Sequence, residues 1–270
     1  MITDEEMLQF IEEAFEENYE LLRLEGGHSL APFVKRLALE QVKLYWKKMK
    51  NLAENVSETE VKLTLPLRQT PKGRQYTIQG VVDVVREDDK TILYDIKTHD
   101  VDYVRCNKHD YEGQLNIYAH IWQTNHGQAL DGTSIIATGQ TEDLRRAYQT
   151  KNPQRIQNAL EQWMPEVPFE FSEEKVESTI EAFGEVVDMI EEHQFTPPPI
   201  EKLLSTVRDN KLFATHVCRN CDVRFSCNSY REYAFTFMKA KNDFLAYYDD
   251  YGTEHEKAEV LETSLEGEEV

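Results

Sequence analysis

Apolar residues in the first part of the chain recur at helical spacing. Met7, Ile11, Phe15, Tyr19 and Leu22 fall on one face of "TDEEMLQFIEEAFEENYELL", and Thr3 and Glu6 stand in the positions of a capping box. The pattern predicts an amphipathic helix. "GGHS" at 26–29 interrupts it, with His28 in the turn as a capping or exposed residue, and Pro32 opens a second helix through "FVKRLALEQVKLYWKKM". The period then changes to two. "TEVKLTLP" at 59–66 alternates polar and apolar, "TPKGR" turns the chain, and a second strand follows at about 75–85. "REDDK" makes the next turn and "TILYDIKT" completes a meander. "YEGQLNIYAHIWQ" returns to helical periodicity and "SIIATGQT" to a strand, so the expected order is helix, three strands, helix, strand.

From about 155 the texture is helical, with an acidic amphipathic segment near 173–193 that stops before "TPPP" at 196–199. A loop leads to "CRNCDVRFSC", and "YREYAFTFMKAKNDFLAYY" predicts one more helix. Residues 254–270, "EHEKAEVLETSLEGEEV", have too little apolar content to pack and are expected to be disordered. The expected organisation is one domain at 1–253, with a core at 27–160, a helical and cysteine-bearing module at 161–253, and the acidic tail.

With 270 residues, 40% hydrophobic and 10% aromatic, the chain is long enough and apolar enough for one sizeable core. No apolar run approaches the ~20 residues that span a bilayer, and the acidic start lacks the basic region of a signal peptide, so no membrane partner and a cytoplasmic location are expected. The net charge of -20 argues against a phosphate-binding protein until its distribution is considered. Residues 1–26, 161–201 and 254–270 carry -8, -11 and -6, which leaves +5 on the remainder. The segments that hold the candidate chemistry are therefore mildly basic. Of the four cysteines, at 106, 218, 221 and 227, three are tightly clustered, and in a reducing compartment that favours metal binding over a disulfide.

Adjacent strands of the meander bring Asp83 and Asp95 together at one end of the sheet, although twelve positions separate them. Their carboxylates, with a backbone carbonyl such as that of Ile96 and with water, suit Mg²⁺ or Mn²⁺. Lys97 shares the face of Asp95 because side chains alternate with a period of two. A lysine beside a bound metal orients the attacking water and stabilises negative charge developing on a phosphate. Taken in isolation, Asp-x-Lys reads better as a structural ion pair at a strand end.

The accompaniment changes that balance. "GVVDVV", "YDIKT" and "QLNIY", in this order, resemble the RecB-type branch of the PD-(D/E)xK nuclease superfamily, which includes the AddB nuclease domain and the iron-sulfur CRISPR-adaptation nucleases. The likeness covers about 59–140 for the core and 196–230 for the cysteine module. It implies an α/β, restriction-endonuclease-like fold with a mixed central sheet, a helical N-terminal arm and a C-terminal cysteine module. It also implies a metal site at Asp83 and Asp95, with Lys97 beside it. The Q-x-x-x-Y motif falls on Gln114 and Tyr118, one helical turn apart on one face. Gln114 is placed to hydrogen-bond near the metal water or a phosphate, and Tyr118 to do likewise or to stack on a base.

One motif departs from the family. Its first core helix often carries a metal-ligating histidine with a glutamate one turn later, whereas "KRLALE" has Arg36 and Glu40. Glu40 is left as a candidate metal ligand or a surface glutamate. Cys218, Cys221 and Cys227 match the carboxy-terminal triplet of the iron-sulfur relatives, which implies a [4Fe-4S] cluster. Those relatives carry the fourth cysteine upstream of the core. Here residues 1–105 contain none, which leaves Cys106 as the candidate fourth ligand. His216 offers a local alternative, a Cys₃His zinc site.

The expected function is that of a metal-dependent deoxyribonuclease, an exonuclease acting on single strands or ends in recombination, repair or CRISPR- or phage-related DNA processing. A helicase or recombination protein is the expected partner. The alternative is a catalytically weak nucleic-acid-binding or assembly subunit that retains the fold. An acidic adapter that engages a basic protein is a third reading, supported by the charge runs alone.

Overall fold

The structure, a computed structural model, describes residues 3–26, 29–207 and 211–237. His28, the second half of the helix expected at 230–248 and the tail at 254–270 lie outside the described residues.

Helix α1 (Asp4–Gly26) starts with the capping box its sequence predicts: the Thr3 amide donates to Glu6 Oε2 at 2.7 Å and the Glu6 amide to Thr3 Oγ1 at 3.2 Å. None of its residues is buried. Ion pairs connect it to α2 (Pro32–Glu54) instead, from Lys50 to Asp4, Lys43 to Glu12 and Lys35 to Glu16, so the two helices run antiparallel. Exposed pairs of this kind contribute little each, which makes α1 an arm and not part of the core.

The chain divides into two compact units. The first takes the described residues through Glu16 together with Ala31–His193, and so ends just past the long acidic helix. Its centre is a five-stranded sheet of β1 (Glu58–Gln69), β2 (Gln75–Glu87), β3 (Thr91–Asp100), β4 (Gly132–Gly139) and β5 (Glu166–Phe169), in that spatial order. Every neighbouring pair is antiparallel except β3 and β4, which are parallel. Such a pair needs a long crossover. It is supplied by α3 (Val101–Cys106) and α4 (His109–His126). The sheet is therefore mixed, as the sequence predicts.

Besides the unpredicted α5 (Glu142–Thr150) and the short helices in the stretch read as a loop before the cysteines, β5 and α3 depart from the sequence reading. The tetrapeptide of β5 lies in a stretch that reads as helical, yet Val167 and Phe169 are buried and the strand pairs with β4. Four residues are too few for an alternation to show, and the neighbouring edge decides. The short α3 is formed by its cap, because the Asp100 carboxylate accepts from the amides of Asp102 at 3.1 Å and Tyr103 at 2.9 Å.

The sheet has two apolar faces. Val84, Tyr94 and Ile136 pack with Leu52 of α2, while Val82, Val85 and Leu93 pack with Ile117, Ile121 and Trp122 of α4. Helices α5 (Glu142–Thr150), α6 (Pro153–Gln162) and α7 (Glu173–Glu191) complete the unit. A polar clamp joins α7 to the β1–β2 turn: buried Asp188 accepts from Thr70 Oγ1 at 2.8 Å, from the Lys72 amide at 3.1 Å and from Arg74 Nη1 at 2.5 Å.

The second unit takes the described residues of Glu17–Leu30 and those from Gln194 to Phe237. It contains α8 (Ile200–Leu203), α9 (Phe213–His216), a 3₁₀ turn at Cys218–Asn220 and α10 (Asn228–Phe237). Its small core is Leu203, Ala214, Cys218, Tyr230 and Tyr233. Among the described residues no helix is long and apolar enough to cross a membrane.

Candidate active site

The ladder between β2 and β3 ends at the pair Val84 and Tyr94. At the next position a side chain replaces the backbone, and Asp83 Oδ2 accepts the Ile96 amide at 2.6 Å. Asp83 is thereby fixed beside Asp95, and Ile96 enters the site through its N–H. Asp95 is 3% exposed. Lys97, two residues on, sets its ammonium 2.6 Å from Asp95 Oδ2, and Gln114 Nε2 donates to Asp95 Oδ1 at 3.1 Å. The structure thus brings together Asp83, Asp95, Lys97 and Gln114.

Gln114 also donates to Tyr118 Oη at 2.8 Å, so the four-residue spacing does put both on one face. Tyr118 is buried, and its ring occupies the space above Gly80, where an added Cβ would lie 2.4 Å from Cε1. The glycine of "GVVDVV" is explained by that close approach. Tyr118 is 9% exposed, and its hydroxyl accepts from Gln114.

Burial pushes the Asp95 carboxyl above the ordinary carboxylate value. Lys97 opposes the shift and neighbouring Asp83 adds to it. Apart from the close approach of Lys97, Asp95 Oδ2 has no hydrogen-bond partner among the described residues. A buried carboxylate with an open lone pair, next to a second carboxylate, fits a hard divalent cation by donor chemistry. Glu40 is not brought to this point. It lies 3.8 Å from Lys43, and among the described residues no three His, Cys, Asp or Glu side chains converge as a ligand set.

Sequence reasoning missed several neighbours. Glu60 stands opposite Asp83, between the pairs Thr59–Val84 and Val61–Val82, with a left-handed φ of 52°. It lines an open cleft of about 730 Å³ together with Tyr45, Thr59, Asp83 and Ile96. Its alternating context read as an ordinary strand residue, and no local signal marks the backbone change. His99 Nδ1 lies 3.1 Å from Tyr111 Oη, and its ring stacks on Tyr103 at 4.4 Å. Tyr111, Gln114 and Tyr118 share one face of α4 at helical spacing, a pattern available in the sequence once the helix is known.

In the second unit, Cys218 is buried and packs with half-buried Cys227. Burial pushes the Cys218 thiol up, and the nearby Cys227 and Cys221 add to the effect. The three sulfurs are therefore neighbours, without converging as a closed ligand set. His216 ends α9, two residues before Cys218. Cys106 is exposed at the last residue of α3, in the first unit.

A family model described as PD-(D/E)XK nuclease superfamily matches residues 2–228. The solved crystal structure of SSO0001 is similar over 80% of this chain and 79% of its own, at 18% identity and a TM-score of 0.42. No curated protein matches.

Proposed function

Because the chain belongs to the PD-(D/E)XK nuclease superfamily, whose members are generally nucleases that use Mg²⁺ or Mn²⁺, we propose that it hydrolyses DNA phosphodiester bonds, acting on single strands or free ends. The observation that carries this reading is the buried Asp95 carboxylate, flanked by Asp83 and held between Lys97 at 2.6 Å and Gln114 at 3.1 Å. Asp83 and Asp95 would hold the divalent ion, which when bound acidifies a water and offsets charge on the phosphate. Lys97 orients that water and donates to the phosphoryl oxygen as its charge grows. The water oxygen would form a bond to phosphorus as its proton passes to solvent, while the opposite P–O bond breaks and the leaving oxygen takes up a proton. Gln114, fixed by the Tyr118 hydroxyl, holds Oδ1 of Asp95 so that Oδ2 stays directed at Lys97.

The test is degradation of end-labelled single- and double-stranded DNA, with RNA in parallel, in Mg²⁺ or Mn²⁺. Metal-dependent shortening from an end supports the reading. Cleavage of RNA alone changes the substrate. Binding without cleavage would establish the second reading, a weakly catalytic subunit, which the pairing of Glu40 with Lys43 favours. For the second unit we propose that Cys218, Cys221 and Cys227 hold a [4Fe-4S] cluster, since thiolates at this spacing suit iron and sulfide. Anaerobically purified protein should contain iron and acid-labile sulfide and lose both in Cys221→Ser. Stoichiometric zinc without sulfide would point to a site completed by His216.

A further inference from the structure

Beyond Asp95 and Lys97, β3 carries another polar residue toward α4. His99 follows Lys97 by two positions, across a register shift in the pairing of β3 with β4. Two elements fix its ring and a third approaches its backbone, although the residue is exposed. From α3, Tyr103 stacks on it with centroids 4.4 Å apart and planes 21° from parallel. From α4, the Tyr111 hydroxyl lies 3.1 Å from Nδ1, three residues before the glutamine that holds Asp95. From β4, Gly139 presses on the backbone, since an added Cβ there would lie 2.6 Å from Thr98 O, His99 C and Asp100 N.

The hydrogen bond decides which nitrogen faces outward. Tyr111 is 7% exposed, and the only hydrogen-bond partner of its hydroxyl among the described residues is His99. A buried phenol hydrogen requires an acceptor, so Nδ1 accepts it and the neutral ring carries its hydrogen on Nε2. Neighbouring carboxylates are engaged elsewhere: Asp100 caps α3 and Asp102 lies 3.8 Å from Arg105. The result is an N–H donor on an exposed residue, held by Tyr103 and Tyr111 two positions beyond Lys97 on β3.

We propose that His99 is a strand-positioning residue, whose Nε2–H donates to a non-bridging phosphate oxygen of the nucleic acid one step along from the phosphate presented to Lys97. Tyr103 and Tyr111 hold the ring for that contact. The inference rests on the nuclease reading above, which supplies the phosphodiester ligand. It deepens that reading by placing the path of the strand over α3, toward the C-terminal end of β3.

Two measurements on the full chain test it: steady-state cleavage of a labelled single-stranded oligonucleotide, and fluorescence anisotropy of the same oligonucleotide without divalent ions. His99→Ala should raise both KM and Kd about tenfold and leave kcat within about twofold, the loss of one hydrogen bond to a charged group. His99→Gln, which puts an amide nitrogen near the place of Nε2, should recover most of the affinity. His99→Asn, which imitates Nδ1, should not. Wild-type cleavage with an unchanged KM in His99→Ala, or rescue by Asn and not by Gln, overturns this inference and leaves the nuclease reading standing. Binding that depends on His99 without any cleavage overturns hydrolysis and keeps the contact. A wild-type protein that neither binds nor cleaves overturns both.

Discussion

Two aspartates in the first unit are almost equally buried, Asp95 at 3% and Asp188 at 4% exposure, and their surroundings treat the charge in opposite ways. Burial acts to raise the pKa of each. At Asp188 the donors outweigh it: Thr70 Oγ1, the Arg74 guanidinium and the Lys72 amide hold the carboxyl below its ordinary value. At Asp95 burial prevails over Lys97, and Asp83 reinforces it. One carboxylate is satisfied by its fold and staples α7 to a hairpin turn. The other is left short of positive charge, as the proposed cation site requires.

The sharpest break in this comparison is at Asp95 itself. Asp95→Ala and Lys97→Ala should each lower metal-dependent cleavage by about a thousandfold or more, with the fold retained by circular dichroism. Asp95→Asn should lose the same activity while its melting temperature rises, because a charge the fold disfavours has been removed. A lower melting temperature for Asp95→Asn would refute the description of that carboxylate as under-compensated.

Asp188→Asn should do the reverse. It weakens the bonds from Thr70, Lys72 and Arg74, so thermal denaturation should show a clear loss of stability while cleavage at 25 °C is kept. Equal stability in the variant would mean the clamp contributes nothing.

The pH dependence separates the two sites by sign. The folded pKa of Asp188 is lowered, so its stabilisation is complete above the ordinary 3.8 and is lost as pH falls through the lower folded value. The folded pKa of Asp95 is raised, so the fold loses stability as pH rises from 3.8 through the higher folded value. Melts of Asp95→Asn and wild type should therefore converge below 3.8 and separate toward neutrality, with the variant higher. Convergence at neutral pH instead would invert the assignment.

Smaller effects belong to the supports of Gln114. Gly80→Ala drives a methyl group into the Tyr118 ring and should cost about 1–3 kcal/mol of stability and about tenfold in cleavage. Tyr118→Phe keeps the ring and removes the partner of Gln114 alone, about 1 kcal/mol, so a loss of roughly fivefold in kcat with little change in melting is expected. Steady-state kinetics on both variants would show whether Tyr118 acts through Gln114. A larger loss in Tyr118→Phe than in Gly80→Ala would argue that the hydroxyl meets the substrate.

What the sequence by itself determined is whatever depends on local period and spacing. Alternation in "TEVKLTLP" and "TILYDIKT" placed β1 and β3, the capping pair Thr3 and Glu6 placed the start of α1, and the family resemblance marked Asp83, Asp95 and Lys97 before any contact was known. Membership of the superfamily and the mixed sheet follow the same signals. Tertiary structure decided what depends on a distant neighbour. β5 is a strand because β4 offers an edge, Glu40 turns to Lys43, and Gly80 is required by a tyrosine thirty-eight positions away. Asp95 and Asp188 are each one letter in a chain of 50 acidic residues. Their opposite characters come from how many donors the folded chain aims at each carboxylate, a property of three-dimensional geometry that no residue carries alone.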